Sequence, residues 1–169
     1  MMIKQEKHAL TKFIPNEYPL TPGVRLLEAS AGTGKTFALA HLVLRLLTEG
    51  NHPINKILVV TFTEAAAAEL RARISTRVEA ALAGLEAIDK GLFKPAPDKV
   101  LEDWLAMNGK QEESRHILAR VLLEALETID SADITTIHGF CRRTLKREAL
   151  DSHSTINPLL EEDNSGLTL

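Results

Sequence analysis

Apolar residues along the chain fall either in short continuous runs or at helical spacing. The run Ile57-Leu58-Val59-Val60 is rich in β-branched residues, which is typical of a strand buried on both faces of a parallel sheet. From about 64 to 89, apolar residues recur every three or four positions, as on an amphipathic helix. The pattern predicts strands at about 24–28, 57–60 and 134–137, and helices at about 34–48, 64–89, 100–107, 112–129 and 139–150.

The order of these elements predicts an α/β domain with a parallel sheet flanked by helices. Residues 1–20 are polar and carry two prolines, so we expect an arm. The domain itself is expected over 21–151, with a helical insertion at about 90–130. Residues 152–169 are polar and rich in turn formers, and are interpreted as the start of a following segment.

Composition narrows the class of protein without identifying it. The 169 residues suffice for one domain with a core, and the 44% hydrophobic content is typical of a globular chain. A net charge of −3 excludes a generally basic nucleic-acid binder, so any such contact must be local. With Cys141 alone no intrachain disulfide forms, which fits a reducing cytoplasm. We find no signal peptide and no stretch apolar enough to span a membrane.

The strongest chemical signal is a phosphate-binding loop at residues 29–36, directly after the apolar run at 24–27. It reads Ala29-Ser30-Ala31-Gly32-Thr33-Gly34-Lys35-Thr36. Small residues let backbone N–H groups surround a phosphate chain, and the next helix points its positive end at the same anion. Lys35 would reach the outer phosphates, and the Thr36 hydroxyl would bind Mg²⁺. The loop therefore predicts ATP and Mg²⁺, although Ala29 stands where the strict pattern has glycine.

Two further segments follow predicted strands. Thr61-Phe62-Thr63 comes after the second strand, where Thr63 is expected to cap a helix, and His138-Gly139 comes after the third. Ligands of parallel α/β sheets bind at the carboxyl ends of the strands. We therefore expect both segments and the phosphate loop to converge on one edge of the sheet.

Residues 27–36, 60–74 and 136–141 together resemble motifs I, Ia and Ib of superfamily 1 DNA helicases of the UvrD/Rep type. In that family alanine is common at the position of Ala29, while Glu64 stands where most relatives have asparagine. The resemblance covers about 24–150 and implies a partial RecA-like P-loop NTPase domain. It also implies that residues 29–36 bind ATP and Mg²⁺, and that a single-stranded DNA path is lined by Thr61, Phe62, Thr63, His138 and Gly139.

Such helicases also need an acidic metal-binding motif after an apolar strand, a glutamine-containing sensor and an arginine finger, and none of the three is found in this sequence. Leu159-Leu160-Glu161-Glu162 follows Pro158, which disfavours a central strand, so we interpret it as an acidic turn. We expect the amino-terminal segment of a larger motor, with little ATPase activity of its own. The resemblance implies an ATP-dependent helicase and exonuclease subunit that acts on single- and double-stranded DNA in break repair and recombination, alongside further subunits.

Three side chains near these motifs have competing interpretations. Phe62 is either a core residue or a platform on which a base stacks, and the resemblance favours DNA. His138 is either a capping or core histidine or a DNA contact. Cys141 is expected to be a buried small hydrophobe.

Charged residues on two helices also allow alternatives. A basic face on the last helix is either solvated or a phosphate-contacting patch; it comprises Arg142, Arg143, Lys146 and Arg147. On the long helix, Arg71, Arg73 and Arg77 are expected to be balanced by Glu64, Glu69 and Glu79.

Two other functions remain open from the residues alone. A P-loop kinase would need an acidic metal partner and an acceptor pocket, and would leave the segments at Thr61 and His138 unexplained. A non-catalytic module would bind nucleotide or DNA, or would offer only an interaction surface.

Overall fold

The computed structural model describes residues 12–30, 32 and 34–148. Five α-helices and two β-strands make up the described chain, against five helices and three strands in the prediction. Leu58 and Val60 are each 46% exposed, so the expectation that this strand is buried on both faces is wrong. The elements in chain order are α1 (Lys35–Thr48), β1 (Leu58–Thr61), α2 (Glu64–Asp89), α3 (Lys99–Asn108), α4 (Glu112–Glu127), β2 (Asp133–Thr136) and α5 (Ile137–Arg147), with short 3-10 helices at Ile54–Lys56 and Ile129–Ser131.

The two strands form a parallel sheet. Leu58 lies opposite Asp133 at the start of the pair, and Thr61 lies opposite Thr136 at its end. The crossover between the strands consists of α2, α3 and α4. Because the pairing is in register to the last residue, the segments that follow both strands begin side by side.

The prediction of a strand at 24–28 is wrong. These residues form neither helix nor strand, Val24 is fully exposed and Leu26 is 83% exposed. A strand satisfies its backbone N–H and C=O groups by pairing with a neighbour, and within the described residues β1 and β2 pair only with each other. The apolar run before the phosphate loop thus finds no strand to pair with in this part of the chain.

In three helices, the side chain of the residue just before the helix caps the first turn. The Thr63 hydroxyl accepts from the Ala66 N–H over 3.1 Å, which confirms the predicted cap of α2. Asp98 caps α3, and Thr136 caps α5 by accepting from the Gly139 N–H over 3.0 Å. Such caps satisfy backbone donors that have no partner inside the helix.

The core lies between α1, α2 and α4, and α3 closes one end of it. Its largest fully buried apolar side chains are Trp104, Leu44, Leu47, Ile74, Leu85, Leu101, Leu122 and Val78. At Gly84 the helices α2 and α3 approach so closely that a Cβ atom would lie 2.6 Å from Cδ1 of Leu105. Helices α3 and α4, which lie within the predicted helical insertion, therefore contribute side chains to the core.

A buried polar cluster joins α1, α2, the start of α3 and Asn16, which precedes α1 in the chain. His41 is fully buried, and its Nδ1 accepts from Nε of Arg77 over 3.1 Å. The other ring nitrogen lies 2.6 Å from Oδ1 of Asn16. Arg77 also forms an ion pair with Asp98 and stacks over the ring of Phe37, with 4.8 Å from Cζ to the ring centroid. Each charged member of the cluster thus has a partner.

The surroundings of this cluster favour neutral His41 and ionised Asp98. Burial, together with the cationic Arg77 and Arg45, lowers the pKa of His41 to about 4. Burial alone would raise the pKa of Asp98, but hydrogen bonds from Arg77 and the backbone hold it below its usual value. His41 is therefore neutral at pH 7, so that Nδ1 can accept a hydrogen bond while Nε2 donates to Asn16.

Only one of the three expected pairings of arginines on α2 is found. Arg73 pairs with Glu69 over 2.8 Å on the exposed face. Arg71 instead donates to the backbone carbonyls of Ile129, Ala132 and Ile134. Arg77 pairs with Asp98, as described above. The expectation failed because both arginines reach groups distant in sequence that a local charge pattern does not reveal.

None of the helices in the described ranges combines the length and apolarity needed to cross a lipid bilayer.

Candidate functional site

The phosphate loop adopts backbone conformations that its glycines make possible. Gly32 has a φ of 75° and Gly34 a φ of 87°, both in the left-handed region that L side chains rarely adopt. Gly34 also stands at the N-cap of α1. The two glycines turn the chain sharply just before the helix, while Ala31 and Thr33 lie outside the described residues. The glycines of the motif are thus required by geometry, and Ala29 need not be glycine to precede them.

Lys35 folds back across the loop. Its Nζ atom donates to the backbone carbonyl of Ala29 over 2.9 Å and to that of Ser30 over 2.6 Å. The ammonium group is therefore held against the backbone of residues 29 and 30, and the side chain is exposed to solvent. An anion that approached this turn would meet a fixed positive charge.

The start of α1 is suited to an anion for a second reason. Gly34 provides no side-chain cap, and no acidic residue lies in the first turn. The first N–H groups of the helix have no intrahelical partner and give this end a partial positive charge. Thr36 lies in the same turn with a half-buried side chain.

Thr36 can supply one hydroxyl ligand to a metal ion. In the described ranges, no group of three or more His, Cys, Asp or Glu side chains is placed to hold a metal. The ammonium group of Lys35 and the N–H groups at the start of α1 are donors of the kind that bind a phosphate chain.

The segment after β1 presents an aromatic side chain to solvent. Phe62 is 87% exposed, so the core interpretation is wrong. Thr61 is half-buried beside β2, and Thr63 caps α2. An exposed ring held between a strand end and a helix start is free to stack against a planar partner.

The segment after β2 combines an exposed histidine with a tightly packed glycine. His138 lies in the first turn of α5 and is exposed, so it is not a core histidine. At Gly139 a Cβ atom would lie 2.6 Å from Oγ1 of Thr135, which leaves no room for a side chain. Gly139 thus has a packing role that the sequence did not reveal.

The structure brings two of the three predicted segments together. Thr61 and Thr136 pair at the ends of the strands, and Oγ1 of Thr136 donates to Oε1 of Glu64 over 2.9 Å. The phosphate loop is not joined to this edge by a strand, since residues 24–28 do not enter the sheet. It is positioned instead by α1, which packs on α2.

Helix α5 has no fully buried residue, and only Gly139, Phe140 and Thr144 are partly buried. Cys141 is exposed rather than buried, which corrects our expectation. Arg143 bonds to Asp133 over 2.7 Å and reaches Thr135, and Arg147 pairs with Glu148. The basic face is therefore partly neutralised by neighbouring carboxylates, which the spacing of the cations alone did not indicate.

Glu64 is the residue at this edge that sequence reasoning did not include among the site residues. Its carboxylate contacts the cap of α5 although 72 positions separate the two residues. The only sequence signal was its unusual place within a motif where relatives carry asparagine.

The chain matches the model of the UvrD/REP helicase N-terminal domain over residues 15–167, and it therefore belongs to the UvrD/REP helicase family. This confirms the resemblance drawn from the three motifs. Among curated relatives, the RecBCD enzyme subunit RecB of Escherichia coli strain K12 is 42% identical over 161 residues, which cover 89% of this chain and 12% of that protein. RecB of Haemophilus influenzae is 41% identical over 155 residues, 85% of this chain and 12% of that protein.

RecB of Mycolicibacterium smegmatis is 40% identical over 121 residues, which cover 72% of this chain and 10% of that protein. The chain thus spans only about a tenth of the length of these relatives. The activity of a whole RecB protein comes to this chain only as a proposal.

Proposed function

We propose that this chain is the amino-terminal ATP-binding segment of a RecB-like, ATP-dependent DNA helicase and exonuclease subunit that acts in double-strand break repair and recombination. The observation that carries the proposal is the phosphate loop: two glycines in left-handed conformations, Lys35 across the turn and a helix start without an acidic cap. Family membership and the RecB relatives support the same function.

In this proposal the nucleotide binds at residues 29–36. Lys35 would leave its two carbonyl partners and bind the β and γ phosphates, and the first N–H groups of α1 would bind the same anion. Thr36 would contribute its hydroxyl to Mg²⁺, which would neutralise charge at the phosphates. The roles of Lys35 and Thr36 are positioning and electrostatic stabilisation.

Single-stranded DNA is proposed to pass along the edge formed by Thr61, Phe62, Thr63, His138 and Gly139. The exposed Phe62 ring offers a stacking surface, and His138 offers a donor to a phosphate or sugar. RecC-like and RecD-like subunits are the proposed partners of the full-length protein, and double-stranded DNA its entering substrate. A cytoplasmic location stays a prediction from the sequence.

Isothermal titration with a non-hydrolysable ATP analogue, with and without oligo-dT, tests both the nucleotide site and the DNA path. We expect analogue binding that Lys35→Ala abolishes and that Lys110→Ala, at an exposed lysine in the insertion, leaves unchanged. Analogue binding that is unaffected by Lys35→Ala would overturn the nucleotide site. DNA binding without any nucleotide binding would favour a non-catalytic DNA-binding module.

The chain alone is proposed to hydrolyse ATP poorly, because the acidic motif and the arginine finger of the family are not found in its sequence. A coupled ATPase assay with saturating oligo-dT should remain at background. Robust turnover that Lys35→Ala removes would show that the chain carries a complete catalytic site.

A further inference from the structure

The two segments proposed to line the DNA path are connected by one side chain. Thr61 and Thr136 end their strands as register partners, and each strand leads into a helix capped by a threonine. Glu64 is the first residue of α2, and its side chain reaches the start of α5. Its Oε1 atom is 2.9 Å from Oγ1 of Thr136.

The hydrogen bonds of Thr136 have a fixed direction. A hydroxyl group has one proton to donate and lone pairs with which to accept. Thr136 accepts from the Gly139 N–H over 3.0 Å, and it donates to Glu64, since an ionised carboxylate can only accept. Glu64 therefore orients the hydroxyl so that a lone pair faces the first turn of α5.

Packing leaves little freedom around this contact. Thr136 is 5% exposed. A Cβ atom on Gly139 would lie 3.1 Å from Oγ1 of Thr136 and 3.9 Å from Oε1 of Glu64. The turn that carries His138 is thus seated directly against the hydroxyl that Glu64 orients.

Arg143 on α5 is a cation close to this edge and has partners of its own. Arg143 on α5 donates to Asp133 and Thr135 and not to Glu64. Glu64 also lies in the first turn of α2, where a negative charge favours the helix dipole. A purely dipolar role would depend on the charge of Glu64, whereas the contact with Thr136 depends on its acceptor oxygen.

We propose that Glu64 is a positioning residue that joins the segment after β1 to the first turn of α5 through Thr136, so that both segments act on DNA as one unit. The contact itself stands on the geometry of the chain, and its effect on DNA rests on the proposed function. Glu64 holds the geometry and does not itself bind the nucleic acid.

The contact is tested without DNA by hydrogen exchange of the Gly139 amide, followed by NMR on the 169-residue chain. Glu64→Ala should raise the exchange rate about tenfold, while Glu64→Gln, which keeps an acceptor oxygen, should leave it close to wild type. Glu69→Ala, on the exposed face of the same helix, is the matched control. In a Thr136→Val background, which lacks the hydroxyl, Glu64→Ala should have no further effect.

An additive effect of Glu64→Ala in the Thr136→Val background, or an equal effect of Gln and Ala, would overturn the proposal in favour of the dipole. Thermal melts of each variant separate a local change from a loss of folding.

Oligo-dT affinity then tests the consequence for DNA. Glu64→Ala should weaken binding about threefold to tenfold, with Glu64→Gln near wild type and affinity for the ATP analogue unchanged. Wild-type DNA binding that Glu64→Ala does not alter would overturn the coupling to DNA. Absence of DNA binding by the wild-type chain would overturn the proposed DNA path, while the exchange result on Gly139 would still decide the contact.

Discussion

Nδ1 of His41 accepts a hydrogen bond from Nε of Arg77 over 3.1 Å, at the centre of a cluster that also holds Asp98 and Asn16. The bond requires a neutral imidazole, because a protonated ring has no lone pair to offer. It therefore makes the stability of α1 against α2 sensitive to acid.

The first prediction concerns that sensitivity. The pKa of His41 is about 4 in the fold, against 6.5 for an unperturbed histidine. As the pH falls below 6.5, His41 of the unfolded chain takes up a proton before His41 of the folded chain does. The contribution of neutral His41 to the free energy of unfolding is therefore complete above pH 6.5 and is lost progressively down to about pH 4. We expect a loss of roughly 2–3 kcal/mol across this window, measured by urea unfolding at several pH values.

His41→Gln should remove most of this pH dependence, since glutamine does not titrate. His52→Gln, at an exposed position after α1, should follow the wild-type curve. A His41→Gln curve with the wild-type slope would assign the acid sensitivity to other groups.

Gly139 provides the second prediction. Gly139→Ala would place a methyl group 2.6 Å from Oγ1 of Thr135, so we expect a destabilisation of about 1–3 kcal/mol and displacement of α5. Chemical denaturation measures the first and hydrogen exchange of α5 the second.

Cys141→Ala, at an exposed position on the same helix, is the control and should change stability by less than about 0.5 kcal/mol. Equal stability of both variants would show that α5 is not seated as described.

The third prediction concerns the contact of α2 with α3. Gly84→Ala would bring a Cβ atom 2.6 Å from Cδ1 and 2.9 Å from Cδ2 of Leu105. We expect a cost of about 1–3 kcal/mol from overpacking. Leu105→Ala alone should also destabilise, because it leaves a cavity.

The double variant should lose less free energy of unfolding than the sum of the losses in the two single variants. The reason is that the methyl group at position 84 enters the space vacated at position 105. A double-mutant cycle by thermal unfolding measures the coupling. Strict additivity would contradict the close approach of these helices.

Arg71 gives the fourth prediction. Its guanidinium group donates to the carbonyls of Ile129, Ala132 and Ile134, and so connects α2 to the turn that leads into β2. Arg71→Met keeps the stem but leaves these carbonyls without the donor, at an expected cost of about 1–3 kcal/mol.

Arg73→Met removes only an exposed pair with Glu69 and should cost less than about 0.5 kcal/mol. Comparable losses in the two variants, measured by urea unfolding, would show that Arg71 is no more than a surface charge.

Local signals in the sequence predicted most of the fold. The helices α1 and α2 begin and end within about one residue of the predicted bounds, because apolar spacing and caps such as Thr63 act over a few residues. The position of α3 inside the insertion was also predicted. Helix α5 begins at Ile137, two residues before the predicted start, and ends at Arg147, before the predicted end at 150, which itself lies outside the described residues.

The signals that failed depend on distant partners. Val24 and Leu26 are residue types that favour strands, but a strand forms only where a neighbouring strand is available for pairing. His41 lies within an apolar helix, and nothing nearby in sequence indicates that Arg77 will reach it. The motif predicts which residues form the phosphate loop, and this assignment stays a prediction. The contact of Glu64 with Thr136 could be found only in the folded structure, since 72 positions separate the two residues.

The two-stranded sheet has a consequence for handling the protein in solution. In the described structure β1 and β2 each pair on one side, and Leu58 and Val60 are each 46% exposed. Unpaired backbone groups beside apolar side chains are a template for intermolecular strand addition. Concentrated samples should therefore scatter light increasingly with time, and a lysine at position 58 or 60 should improve colloidal stability without disturbing the helices.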